Sequence, residues 1–117
     1  MDARALVGTS GEESAARFLE ARGYRIIERN YRCKEGEIDI VSLLGEVIVF
    51  CEVKTRSSEW WGQPSEAVDW RKQARLRRLA GIWMADRRPR EQEVRFDVLS
   101  VIVRDGQTRI THIPEAF

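Results

Sequence analysis

Apolar residues recur along the chain with two different periods. In SGEESAARFLEARGY (10–24), Ala15, Ala16 and Leu19 follow Glu12 at +3, +4 and +7, the spacing of one helix face. Ser10 and Glu13 stand at capping-box spacing and Gly23 stops the run, so a first helix is expected there. YRIIERNYR then alternates as a strand. GEIDIVSL and EVIVFCEVK predict two more strands joined by a tight hairpin at Leu44-Gly45. A second helix is expected from about Asp69, its N-cap, to about Arg87, with Leu76, Leu79, Ala80 and Trp83 on its apolar face and Pro89 beyond its end. EVRFDVLSVIV reads as a fourth strand, Asp105-Gly106 as a hairpin turn and TRITHI as a fifth, edge strand. The order α-β-β-β-α-β-β predicts an α/β fold: a mixed five-stranded sheet flanked by helices. The 117 residues make one domain, 1–117.

Charges interrupt this pattern in an orderly way. Glu37 and Asp39 lie within GEIDIV, and Glu52 and Lys54 within VFCEVKTR. Strand side chains alternate faces, which puts Glu37, Asp39 and Val41 on one face and Ile38 and Ile40 on the other. In the next strand Phe50, Glu52 and Lys54 share a face. A hairpin centred between Leu44 and Gly45 sets Glu37 opposite Glu52 and Asp39 opposite Phe50, with all four charges on one face. Opposed carboxylates repel, and either Lys54 or a bound divalent cation relieves them. Oxygen ligands without His or Cys favour Mg²⁺ or Mn²⁺. Glu12 shares the apolar stripe of the first helix and is expected to look toward the sheet. Glu13, at −4 from Arg17, belongs to the solvent side.

Composition narrows the class. The formal net charge of +1 conceals a basic block: residues 71–90 hold eight Lys/Arg against one acidic residue. Such a block suits a polyanionic partner, although a solvated helix face has the same composition. Arg71, Arg75 and Arg78 recur at i, i+4 and i+7 with Lys72 beside them, a row able to track a nucleic-acid backbone. Cys33 and Cys51 form no metal-ligand spacing and read as reduced thiols. No secretory leader or membrane-length apolar run is visible, so a cytoplasmic protein is expected, with no membrane partner.

Asp39, twelve intervening residues and Glu52-Val53-Lys54 resemble the D…ExK core of the PD-(D/E)xK nucleases. The surroundings are more specific: Gly8-x-x-Gly11-Glu12-x-x-Ala15, Gly23-Tyr24, Arg29-Asn30-Tyr31-Arg32, GEIDIV, EVKTR, Gly62, Glu66-Ala67-Val68-Asp69, Lys72 and Arg95-Phe96-Asp97-Val98 follow in that order. Together they resemble the YraN family of uncharacterised bacterial proteins, itself similar in pattern to archaeal Holliday-junction resolvases. Cys51 departs from the family's usual valine, on the side away from the charges. The resemblance implies a restriction-endonuclease-like fold and a metal-dependent phosphodiester hydrolase acting on DNA, branched DNA by analogy with the resolvases. It implies Mg²⁺ or Mn²⁺ held by Asp39, Glu52, the Val53 carbonyl and Glu12, directly or through water. Lys54 would orient the attacking water or stabilise transition-state charge. Glu37 would stand behind the ligands. Arg56, on the Lys54 face by parity, would hold a phosphate beside the Arg71, Lys72, Arg75 and Arg78 row. Resolvases act as symmetric dimers, which is consistent with a homodimer here, although no stretch marks a dimer surface.

Two alternatives remain open at this level. The scaffold could bind nucleic acid without cutting it, or Trp60 and Trp61 could engage a protein partner. The tryptophans equally suit base stacking or packing of their loop onto the body. His112, the single histidine, has no evident nucleophile beside it and is assigned no role.

Overall fold

The computed structural model describes residues 3–56 and 69–117, with residues 3–10 as backbone only. Trp60, Trp61, Gly62 and Glu66-Ala67-Val68 lie outside the described residues. The elements are α1 (Ala3–Ala21), β1 (Arg25–Cys33), β2 (Gly36–Leu44), β3 (Val47–Arg56), α2 (Trp70–Arg87), β4 (Glu93–Arg104) and β5 (Gln107–Ile113). This is the expected α-β-β-β-α-β-β order. The strands form one sheet in the order β1-β2-β3-β4-β5. It is mixed: β3 and β4 run parallel, and every other neighbouring pair is antiparallel. A parallel pair needs a long crossover, and α2 lies within it. No helix among the described residues is long and apolar enough to cross a membrane.

Each helix covers one face of the sheet. Ala15, Ala16 and Leu19 of α1 pack on Ile40, Val49, Cys51, Val53, Leu99 and Val101. Leu76, Leu79, Ala80 and Trp83 of α2 pack on Tyr31, Ile38, Val41, Ile48, Phe50 and Phe96. The alternation of β3 thus feeds two cores, Phe50 to α2 and Cys51 to α1. Burying an apolar side chain of this size stabilises by about 1.5–3 kcal/mol, so both cores matter.

The ends of the helices follow local chemistry. Gly23 at φ +91° closes α1, with Tyr24 N–H on the Leu19 carbonyl (3.0 Å) and Gly23 N–H on the Glu20 carbonyl (3.1 Å), a Schellman stop. Asp69 caps α2 by accepting from the backbone of Arg71 and Lys72, both at 3.0 Å. The expected start of α1 is corrected. The helix begins at Ala3, so Ser10 is interior and no capping box forms at Ser10-Glu13. The preceding Ala-Arg-Ala-Leu run consists of strong helix formers, which extends the helix backward.

The hairpin register is also corrected. The turn residues are Gly45-Glu46, because Leu44 pairs with Val47, Val41 with Phe50 and Ile40 with Cys51. Gly45, at φ +61°, takes the first central position, where a two-residue turn of type II′ requires glycine. Glu37 therefore does not face Glu52; continuing the register brings Asp39 level with it.

At the other end of the sheet, Asp97 has no solvent exposure and gathers four elements. Its carboxylate accepts from Arg95 Nε and Nη2 (2.9 Å each), the Tyr24 hydroxyl (3.3 Å) and the Glu115 backbone N–H (3.1 Å), and lies 2.7 Å from His112 Nε2. Burial opposes its ionisation. The hydrogen bonds from Arg95, His112 and Glu115 outweigh this and hold the carboxyl below its ordinary range. Sequence reading missed this cluster because Asp97 and His112 are neighbours only through the β4–β5 ladder, where Leu99 pairs with His112. Asp97→Asn strands the half-buried Arg95 charge. A loss of about 3–5 kcal/mol is expected, the range for breaking one side of a buried pair, read as a lower urea midpoint.

Candidate active site

The charged residues of β2 and β3 meet where the two strands part. Pairing between them ends at Ile40 with Cys51. Beyond it, the Asp39 side chain takes the place of a ladder bond: Asp39 Oδ2 accepts the Val53 backbone N–H at 2.7 Å. The fork has a second cause in β1. Asn30 adopts φ +54°, and the β1–β2 ladder carries no partner pair between Arg29 with Ile40 and Tyr31 with Ile38. Around this point both strands exchange faces. Arg29 reaches Glu13 on α1 (2.7 Å), whereas Tyr31 lies in the α2 core. Ile38 packs under α2 and Ile40 under α1, so the expectation that they share a face fails. Strict alternation assumes a regular pleat, and the left-handed residue removes it.

Asp39 is buried, at 8% exposure, and Glu52 is nearly so, its side chain being 18% exposed. Burial, then the neighbouring Glu52 carboxylate, and more weakly Glu12 and Glu37, push the Asp39 carboxyl up to about 7, against the Val53 hydrogen bond. Burial also raises Glu52, opposed by Lys54, Arg75 and Lys72 and by its hydrogen bond with Asp39. Lys54 Nζ stands 3.9 Å from Glu52 Oε1, an ion pair too long for a hydrogen bond. The hydrogen-bonded Lys72, and then burial, lower the Lys54 ammonium below its usual range. Burial and neighbouring charge thus shift Asp39, Glu52 and Lys54 together, with Lys72 beside them.

The remaining expected residues divide between the two helices. Glu37, Glu52, Lys72 and Arg75 line one small cleft with Leu76 and Leu79 as its floor. Arg71, Lys72, Arg75 and Arg78 line an adjoining groove along α2. Glu37 also takes a 3.0 Å hydrogen bond from Arg32 Nε. Glu12 arrives from the opposite face, on α1, and its charge bears on Asp39. Glu13 is bound by Arg29 and, at 3.2 Å, by Arg17. Arg56 ends β3 two residues beyond Lys54 on the same face.

Gly11 explains how α1 comes so close. A Cβ at Gly11 would run into the Thr55 side chain of β3, at 2.6 Å from its methyl carbon and 2.9 Å from its Cβ. Only glycine permits this approach, and it carries the adjacent Glu12 toward the carboxylate pair.

The donor set suits a hard cation in one specific sense. Among the described residues, no group of three or more His, Cys, Asp or Glu is gathered closely enough to hold a metal. Two carboxylates, one of them raised by burial and then by the charge of the other, are a pair that a cation would stabilise. Mg²⁺ commonly takes only one or two carboxylates and completes its shell with water and phosphate oxygens. Asp39 and Glu52 fit that pattern, with the Val53 carbonyl and Glu12 as further oxygen donors.

The site lies within the span of a family match. A model of the uncharacterised protein family UPF0102 matches residues 11–101, from Gly11 to Val101. The chain belongs to this family. A UPF0102 protein of Beutenbergia cavernae is 49% identical over 114 residues, 97% of each chain. One from Frankia casuarinae is 50% identical over 118 residues and the whole of both chains. One from Moorella thermoacetica is 52% identical over 106 residues, 91% of this chain and 88% of its own. The UPF0102 match begins at the glycine that seats α1 and takes in the whole β2–β3 fork.

Two outcomes are expected. Gly11→Ala gains about 1 kcal/mol of helix propensity but loses about 1–3 kcal/mol to overpacking, a net loss in thermal unfolding. Adding Thr55→Ala removes the hydroxyl and methyl clashes and restores part of it. For Asp39, the folded carboxyl titrates near 7 and the unfolded one near 3.8. Between these values the folded state holds the extra proton, so metal-free stability falls as pH rises through that window. Asp39→Asn should reduce that slope and leave the smaller contribution of Glu52, measured as the difference between wild-type and variant melting temperatures across the window.

Proposed function

We propose that this UPF0102 protein binds DNA and hydrolyses its phosphodiester bonds with Mg²⁺ or Mn²⁺ on a restriction-endonuclease-like scaffold. The observation that carries the reading is the buried Asp39–Glu52 pair with Lys54 on the rim of the same cleft. A structural ion cluster would neutralise its carboxylates. Here burial and the Glu52 charge lift the Asp39 carboxyl to about 7, and Lys54 stands 3.9 Å from Glu52, beyond hydrogen-bonding distance. The D…ExK resemblance supports the same assignment, and the basic groove on α2 supplies the phosphate contacts.

Asp39 and Glu52 would hold the cation, with the Val53 carbonyl and Glu12 completing its oxygen donors. Bound there, the metal would supply charge neutralisation at the phosphate and a water of lowered pKa. The Val53 N–H fixes one Asp39 oxygen and so orients the carboxyl beside Glu52. Lys54, held near Glu52 but not bonded to it, orients the attacking water or meets the charge that develops on the phosphate. Lys72 and Arg75 attract the substrate backbone to the cleft, and Arg71, Arg78 and Arg56 extend that attraction on either side. Glu37 shapes the acidic end of the cleft.

Binding without cleavage is the second reading. The observation that favours it is that, among the described residues, no third carboxylate is gathered closely enough with Asp39 and Glu52 to hold a metal.

The test is a cleavage screen with Mg²⁺ or Mn²⁺ on single-stranded, duplex, flap and four-way-junction DNA, with matched RNA. Glu52→Ala is expected to bind but not cut. Lys54→Ala is expected to bind and to cut about 10²–10³-fold more slowly. Salt-sensitive binding by wild type without cutting, under either metal, assigns the second reading.

A further inference from the structure

The α2 groove accounts for substrate on the β2 side of the cleft. On the other side of β3 the sheet continues through the β4–β5 hairpin. Its register is unbroken. Arg56 pairs with Ile102 across β3–β4, and Ile102 pairs with Arg109 across β4–β5. Residues directly opposite share a face, so Arg56, Ile102 and Arg109 form one row. One step back along the same face lies the row Lys54, Ser100 and Thr111. Arg109 therefore projects on the face that carries Glu52 and Lys54. With strands about 4.8 Å apart and same-face residues about 6.7 Å apart, it stands roughly 12 Å from Lys54.

Arg109 is exposed, on the edge strand. With Ile102, Arg104, Asp105, Gln107 and Thr108 it lines an open groove of about 490 Å³. Asp105 spends its charge on Arg104, as an exposed 3.9 Å pair. Among the described residues, no carboxylate is ion-paired with Arg109. An extended charged side chain in a solvated edge strand can also serve to block pairing with another sheet. That explanation accounts for a charge anywhere along β5. It does not account for the charge falling in the row of Arg56, beside the cleft.

We propose that the β4–β5 hairpin is a second DNA-backbone contact, in which Arg109 holds a phosphate on the side of the cleft away from α2. The proposal rests on the DNA reading of the cleft. Roughly 12 Å corresponds to three or four nucleotide steps at about 3.4 Å per strand. A duplex would then be gripped by α2 on one side of Lys54 and by the hairpin on the other, with the reacting phosphate between two fixed points.

The test is the salt dependence of binding. Fluorescence anisotropy of a labelled duplex is followed from low to moderate NaCl in wild type, Arg109→Ala, Arg75→Ala and Arg90→Ala. Arg90 is exposed near Glu93, which pairs with Val47 at the far end of β3, and serves as a control for lost charge. Each lost phosphate contact lowers the slope of log K against log salt by about 0.9. Arg109→Ala and Arg75→Ala should each lose about one such unit, and Arg90→Ala none. A wild-type slope in Arg109→Ala, with the slope reduced in Arg75→Ala, overturns the hairpin contact and leaves the DNA reading standing. A wild-type slope together with new self-association in sedimentation assigns Arg109 to edge protection instead. Absence of salt-dependent binding by wild type overturns both.

Discussion

The hydrogen bond from the Val53 N–H to Asp39 is the interaction around which the site is organised. A backbone donor at the end of a ladder must find an acceptor, because leaving it unmet in a buried setting costs about 1–3 kcal/mol. Here β2 has already diverged, and the acceptor is a side chain. The strand pair can therefore open without an orphaned group, and the opening is the cleft. The same bond anchors a carboxylate that burial would otherwise neutralise.

That carboxylate is costly. A rise from 3.8 to about 7 amounts to roughly 4 kcal/mol of destabilisation above the upper value. This matches the burial of about two apolar side chains. Two complete cores, one under each helix, offset it. Phe50, Ile48 and Val41 on one side and Val49, Cys51 and Ile40 on the other are fully buried. The Asp97 cluster locks the opposite edge, tying β4, β5, the chain end and the loop after α1 together. Arg87 bonds to Glu28 through two nitrogens, at 2.6 and 2.9 Å, and so ties α2 to β1. The fork is thus a local irregularity inside a firmly closed frame.

The helices and strands were legible in the sequence because each has a strong local signature. Leu76, Leu79, Ala80 and Trp83 mark the buried face of α2, and Asp69 its cap. Gly23 and Asp105-Gly106 mark chain reversals by their left-handed backbone. The nearness of Asp39, Glu52 and Lys54 was legible from their places in two adjacent strands, since an error of two positions in the register sum leaves them neighbours. The pairing within that group was not. It depended on whether Gly45 opened the turn or divided it, and on Asn30, an ordinary-looking residue in a strand-like run. The role of His112 was hidden because Asp97 lies 15 positions earlier.

The sequence by itself determined the order of elements, the two apolar faces that need covering and the residues available for chemistry. These are consequences of period, capping and backbone preference, all acting over a few residues. The tertiary structure decided how those residues combine. It set Asp39 against Val53, brought Glu12 in past Gly11 and turned Arg109 onto the face of Lys54. Each depends on contacts between segments distant along the chain, where a single left-handed residue or a missing Cβ changes which groups can meet.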